Sequence, residues 1–222
     1  NYITDCLFRE VVMSNIRFRD PVSAISHYAG ALLSIVAMSM VIYSQRNDIS
    51  LYNISLMSSL VFTASMFMLY LASGIYHTLL LPKEKLVFFR KLDHSMIYVL
   101  IAGSYTPFCL AINNIDYGYR ILILIWSLAV AGIILKLCFF NAPRAIGTAF
   151  YIILGWMIVF FAKDVIEVLN PGGMFLLALG GISYTLGGVI YIIKKPNLKY
   201  MNFHDLFHFF VLIGTALQFF AV

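Results

Sequence analysis

Long uncharged apolar stretches, broken by short clusters of charge, Asn, Pro and Gly, run through the whole chain. A membrane-crossing helix needs about 20 apolar residues, and the pattern predicts seven of them. The first covers Val22–Ser44 and stops at Gln45, Arg46, Asn47 and Asp48. The second begins near Leu51 and stays uncharged to Lys83, about 50 Å of helix at 1.5 Å per residue. That exceeds a bilayer, so His77 marks where the helix leaves the hydrocarbon. The third runs from Lys91 to Ile112, with Asp93 and His94 in its first turns and Pro107 placed to kink it. The fourth covers Tyr119–Cys138, and the fifth Pro143–Ala162, opened by a proline suited to a helix start. An Asn170-Pro-Gly-Gly173 turn precedes the sixth, Met174–Ile193. The seventh follows Pro196, carries His204 and His208, and runs to the C-terminus.

Composition narrows the class. Of 222 residues 62% are apolar and 11% charged, against about 45–50% and about 25% in soluble domains. A soluble globule, a disordered chain, a collagen-like fibre and a disulfide scaffold are excluded. The net charge of +5 does not indicate nucleic acid, because the basic residues sit between apolar runs and report membrane orientation instead. Seven spans use about 140 residues, leaving no room for a second domain. The expected organisation is a short cytoplasmic segment, residues 1–20, and one all-α seven-helix transmembrane bundle, residues 21–222. Residues 1–20 lack an apolar core of signal-peptide length, so the first spanning helix is expected to act as an uncleaved membrane signal. Of the three cysteines, Cys109 and Cys138 fall towards opposite membrane faces and cannot pair.

Orientation follows from Lys and Arg. With the N-terminus inside, the cytoplasmic segments collect Arg9, Arg17, Arg19, Lys83, Lys85, Arg90, Lys91, Lys136, Arg144, Lys194, Lys195 and Lys199, and the outer segments only Arg46, Arg120 and Lys163. This bias predicts a cytoplasmic N-terminus and an external C-terminus.

On that topology the ionisable residues converge. His77 near the end of the second helix, Asp93 at the start of the third, and His204 and His208 at the start of the seventh all reach the cytoplasmic side. His204 and His208 are one turn apart on one helical face, a spacing that lets two imidazoles share a metal at about 2.0–2.1 Å per bond. With His77 they make a three-histidine set, the ligand count of a catalytic zinc with one open position. Asp93 is then the candidate general base for a water in that position. Ser73, one turn before His77, is the candidate to orient the water, a substrate carbonyl or a ligand.

Each residue also has a plainer reading. A single histidine near an interface anchors a helix, an H-x₃-H spacing recurs by chance, and serine packs membrane helices. Intramembrane ionisable groups are costly and usually functional, which favours the joint reading. His27, at the start of the first helix, is a possible fourth ligand or outer partner but is read as structural. His94 points about 100° away from Asp93 and is assigned to the interface. Asp205 ranks below Asp93 as a base.

Taken together, Ser73-Gly-Ile-Tyr-His77, Leu92-Asp93-His94-Ser-Met-Ile-Tyr98, Ala102-Gly-Ser-Tyr-Thr-Pro-Phe108, Gly155-Trp156 and Phe203-His204-Asp-Leu-Phe-His208-Phe-Phe-Val resemble the hemolysin III family. That family is the bacterial branch of the progestin and adipoQ receptors, in a superfamily with the adiponectin receptors and alkaline ceramidases. The resemblance covers the chain after about Asp20. It implies a seven-helix bundle in a bacterial inner membrane with zinc on His77, His204 and His208, and with Asp93 and Ser73 around the bound water. Two positions depart from the family pattern. The acidic and Asn residues before the first helix are reduced to Asp20-Pro21-Val22-Ser23, and Gln218 stands where relatives often carry His.

The leading functional expectation is a zinc-dependent hydrolase acting on a lipid amide or ester, with a membrane lipid as the candidate substrate. The alternative is a receptor-like sensor of membrane lipid state with a structural zinc. A pore-forming cytolysin is disfavoured, because nothing in the chain provides a soluble-to-inserted switch. A zinc transporter is disfavoured by the lack of ionisable residues at mid-membrane in helices 1, 4, 5 and 6.

Overall fold

The computed structural model describes residues 18–47, 53–140, 142–199 and 201–222. The expectations for residues 1–17, including Arg9, Arg17 and Cys6, fall outside the described residues. Within them all regular structure is helical: α1 (Pro21–Ser44), α2 (Ile54–Thr78), α3 (Lys83–Ala111), α4 (Ile115–Cys138), α5 (Arg144–Val168), α6 (Pro171–Ile193) and α7 (Phe203–Ala221). Each helix packs on its neighbours in sequence, and α1 closes the ring on α7.

Local chemistry explains where the helices begin. Asn53, Asn114, Asn170 and Asn202 open α2, α4, α6 and α7, each accepting a backbone N–H of the first turn at 2.7–3.2 Å. These N–H groups have no partner within the helix, and an Asn cap supplies one. Pro21, Pro82 and Pro143 stand at or just before the starts of α1, α3 and α5, where a missing N–H costs nothing.

Six of these helices are long and apolar enough to cross a membrane, and α3 is not among them. Its 29 residues begin at Lys83, a turn or more before the expected start, and its first turns carry Glu84, Arg90, Lys91 and Asp93. Large apolar side chains cover the outside of the ring, with Leu32, Phe160 and Phe175 at 66%, 78% and 63% exposure. Apolar surface on this scale suits a lipid solvent.

Lipid gives no hydrophobic drive for helices to pair, so close van der Waals contact must do so. The seam between α6 and α7 shows how. A Cβ at Gly187 would lie 2.8 Å from that of Phe210, and one at Gly180 would lie 3.1 Å from the Gly214 carbonyl oxygen.

Two further boundaries differ from expectation for identifiable reasons. The seventh helix starts at Phe203 rather than just after Pro196. Asn202 and Asp205 form a reciprocal capping box there, which outweighs the apolar pattern. The fifth extends to Val168 but tightens into a 3₁₀ turn at Met157–Phe161. Tyr105 of α3 supports that break: its hydroxyl donates to the Gly155 carbonyl (2.8 Å) and accepts from the Ile158 N–H (2.8 Å). Pro107 is taken up within α3, which continues through it.

Candidate metal centre

Helices α2 and α7 bring the three predicted histidines together. Ligand nitrogens of His77, His204 and His208 all lie within 4.8 Å of one another. Ring centroids are 5.0 Å apart for His77 and His204, 4.8 Å for His77 and His208, and 4.7 Å for His204 and His208. His77 and His208 are buried and His204 is half-buried.

Hydrogen bonding decides which nitrogens are available. His77 Nδ1 donates to Asp20 Oδ2 at 2.9 Å, and His208 Nδ1 pairs with a ring nitrogen of His27. The Nε2 atoms of both His77 and His208 are buried with no hydrogen-bond partner. An unsatisfied buried polar atom costs about 1–3 kcal/mol. Two such atoms in one three-imidazole cluster fit a metal as their missing partner, and nitrogen donors suit zinc.

The outer partners come from the start of α1. His27, read as structural with an outer-partner role as the alternative, is buried and lies against His208, with ring centroids 3.9 Å apart. Asp20, read as part of a reduced motif, is the hydrogen-bond partner of His77. Its backbone N–H also donates to the His77 carbonyl at 3.0 Å. The His77 hydrogen bond, with help from the Arg19 guanidinium, holds the Asp20 carboxyl down at about 2 against the opposing pull of partial burial. Ser23 donates to Asp205 Oδ1 at 2.6 Å, while Asp205 Oδ2 accepts the Asn202 N–H. Both carboxylate oxygens of Asp205 are therefore engaged at the start of α7. Asp20, Ser23 and His27 have i, i+3, i+7 spacing, one polar stripe at the end of an apolar helix. That spacing is the signal that could have found them.

Asp93 is buried at 5% exposure, lines the cavity beside the histidines, and stands outside the set of converging donors. Ser73 is fully buried next to Asp93. Its hydroxyl makes no hydrogen bond of normal geometry, and it does not reach the cavity wall. His94 also departs from expectation. It lines the cavity instead of the outer surface, with Nε2 3.9 Å from Asp93 Oδ2 and its ring 6.3 Å from that of Phe140.

The cavity measures about 610 Å³. Leu69, Ile97, Thr148, Tyr151, Phe207 and Val211 are shared between its wall and that of a smaller, mostly apolar cleft that runs on past Trp156 to Gln218. Gln218 turns its unpartnered Oε1 inward there.

Fold and site together define an all-helical integral membrane protein with a buried histidine cluster at one end of the bundle. The haemolysin-III related family model matches residues 16–219, and the chain belongs to that family. It is 39% identical over 200 residues to the hemolysin-3 homolog of Bacillus subtilis, covering 90% of this chain and 91% of the relative. It is 40% identical over 202 residues to hemolysin-3 of Bacillus cereus, covering 90% and 88%. A more distant match is the human monocyte to macrophage differentiation factor, 26% identical over 158 residues, covering 69% of this chain and 64% of that protein.

Proposed function

We propose that this protein is a zinc-dependent membrane hydrolase that cleaves an amide or ester of a lipid. In this reading all seven helices span a bacterial inner membrane, with the N-terminus cytoplasmic and the C-terminus outside. The metal end then lies at the cytoplasmic leaflet. The observation that carries the reading is the pair of buried, unpartnered Nε2 atoms on His77 and His208, grouped with His204 at the wall of a cavity that continues into an apolar cleft.

Zinc supplies a Lewis acid that polarises a carbonyl and acidifies a water near neutral pH. The chain's own residues do the rest. His77, His204 and His208 hold the ion, and Asp20 and His27 fix the first and last of these rings so that Nε2 faces inward. Asp93 sits at the cavity wall, close to but outside the ligand set, where it accepts the proton from the attacking water. Ser73, buried beside Asp93 and off the cavity wall, backs that carboxylate rather than touching a water in the cavity. The apolar cleft accommodates the chain of a substrate entering from the bilayer. The exposed apolar faces of the helices favour a resident membrane protein over a secreted lysin.

The test of turnover is the zinc-loaded protein in bilayers offered short-chain ceramides and phospholipid esters. Cleavage by wild type and none by Asp93→Asn supports the reading. An uncleaved panel would favour a lipid-responsive receptor whose zinc is structural. Topology is tested separately, by placing cysteines at Lys85 and Lys195 and labelling intact cells from outside. Labelling should fail at both, and ready labelling at either would break the assigned orientation.

A further inference from the structure

The mouth of the cavity carries more positive charge than orienting the protein in a membrane requires. Among the described residues, Arg19, Lys83, Arg90, Lys136 and Arg144 all line it, against two carboxylates, Asp20 and Asp93. Both acids belong to the histidine site. Among the described residues, Lys83, Arg90, Lys136 and Arg144 form no ion pair with any carboxylate.

Four of the five cations, all but Lys83, lie against aromatic rings. The Arg90 guanidinium lies 4.3 Å and Lys136 Nζ 5.4 Å from the ring centre of Phe140. The Arg144 guanidinium lies 4.4 Å from the Tyr191 ring, and that of Arg19 lies 4.0 Å from the Tyr76 ring. An aromatic face attracts a cation without using its in-plane N–H donors; Arg144 spends one of these, from Nη1, on the Tyr191 carbonyl at 3.4 Å and keeps the others.

Lys85, Lys194 and Lys195 lie off the cavity and suffice as orienting charges of the ordinary kind. The converging set has a different electrostatic problem. Low-dielectric walls focus its field, and a divalent ion on the histidines of the same cavity would add to the repulsion. An anion in the cavity would relieve both.

We propose that the cavity receives the phosphate-bearing headgroup of an anionic amphiphile, with Arg90, Lys136 and Arg144 as its principal contacts. The planar forks of Arg90 and Arg144 match phosphate oxygens two at a time, and Lys136 adds a point charge in the same cavity. This assignment rests on the cavity being an amphiphile site, but not on turnover. It narrows the substrate class from lipids in general to lipids with an anionic phosphate headgroup.

The experiment titrates the zinc-loaded full chain, in phosphatidylcholine nanodiscs, with dodecyl phosphate, dodecanol and inorganic phosphate. Comparing variants in identical nanodiscs cancels partitioning of the probe into lipid. Wild type should bind dodecyl phosphate at least about tenfold more tightly than dodecanol or inorganic phosphate. Losing a charge-assisted contact costs about tenfold or more, so R90Q/R144Q should weaken dodecyl phosphate binding by about a hundredfold while keeping zinc. R90K/R144K, which preserves charge and insertion, should bind more tightly than the Gln pair, and K85Q/K195Q should match wild type.

Equal affinity for dodecyl phosphate and dodecanol, or an unchanged affinity in zinc-loaded R90Q/R144Q, would overturn the headgroup assignment and leave the hydrolase reading intact. Inorganic phosphate binding as tightly as dodecyl phosphate would overturn the amphiphile as the source. Headgroup-selective binding by a protein that cleaves no lipid would support the assignment and remove the hydrolase.

Discussion

The metal end of the bundle and the middle of the α1–α3 layer treat buried polar groups in opposite ways. In the middle, the hydroxyls of Ser34, Thr63, Ser65 and Ser104 donate to carbonyls three or four residues back on their own helices, at 2.7–3.0 Å. At the metal end, bonds run between helices distant in sequence: Asp20 to His77, Ser23 to Asp205, His27 to His208. A hydroxyl bonded to its own helix is satisfied wherever that helix sits, so it allows close packing without specifying a partner. A cross-helix bond to a ring nitrogen sets both the spacing of two helices and the tautomer of the ring, which matters where donors must converge on one point. The middle is held by shape and the metal end by directed bonds.

Substitutions can test this contrast, beginning with the largest effect. His204→Ala with His208→Ala removes two of three converging donors, so purified protein should lose its zinc, as read by metal analysis. Full occupancy in that variant would refute the ligand assignment. Next comes Asp93→Asn, which should keep zinc and lower lipid hydrolysis by about 10²–10⁴-fold, the usual cost of losing a general base. Loss of metal instead would make Asp93 a ligand.

The directed bonds themselves come third. Asp20→Asn and His27→Gln should each weaken zinc binding by about 10–100-fold, measured by chelator competition. Unchanged affinity in both would reduce the α1 stripe to a packing feature. The smallest effects belong to the middle of the bundle. Ser34→Ala and Thr63→Val should shift stability by about 1 kcal/mol or less and leave zinc affinity alone. A larger loss, or a change in metal binding, would blur the distinction between the two regions.

Much of this was legible along the chain. Apolar run lengths predicted the helices, and the one-turn spacing of His204 and His208 placed two donors on one face whatever the fold. His77 could be added because a span has a fixed length, which puts residues at its ends near one membrane face. The role of α1 was harder to see. Asp20 and His27 lie 57 and 181 positions from their partners, and no local periodicity encodes which neighbour a polar stripe will face. His94 was misplaced for a related reason. Helical geometry gives the angle between its side chain and that of Asp93, but not whether the cavity is wide enough to receive both.

The amino-acid sequence alone determined the class of protein, six helices long and apolar enough to cross a membrane, and the residue types able to hold a metal. Each of these follows from short-range regularities: hydrocarbon thickness, helical pitch and the chemistry of single side chains. Tertiary structure decided that Nε2 of His77 and of His208 is left free, that the start of α1 supplies the outer bonds, and that, among the described residues, Lys83, Arg90, Lys136 and Arg144 line the cavity without an ion pair. Those outcomes depend on how the helices close into a ring and in what register, a property of all their contacts together that no stretch of chain carries by itself.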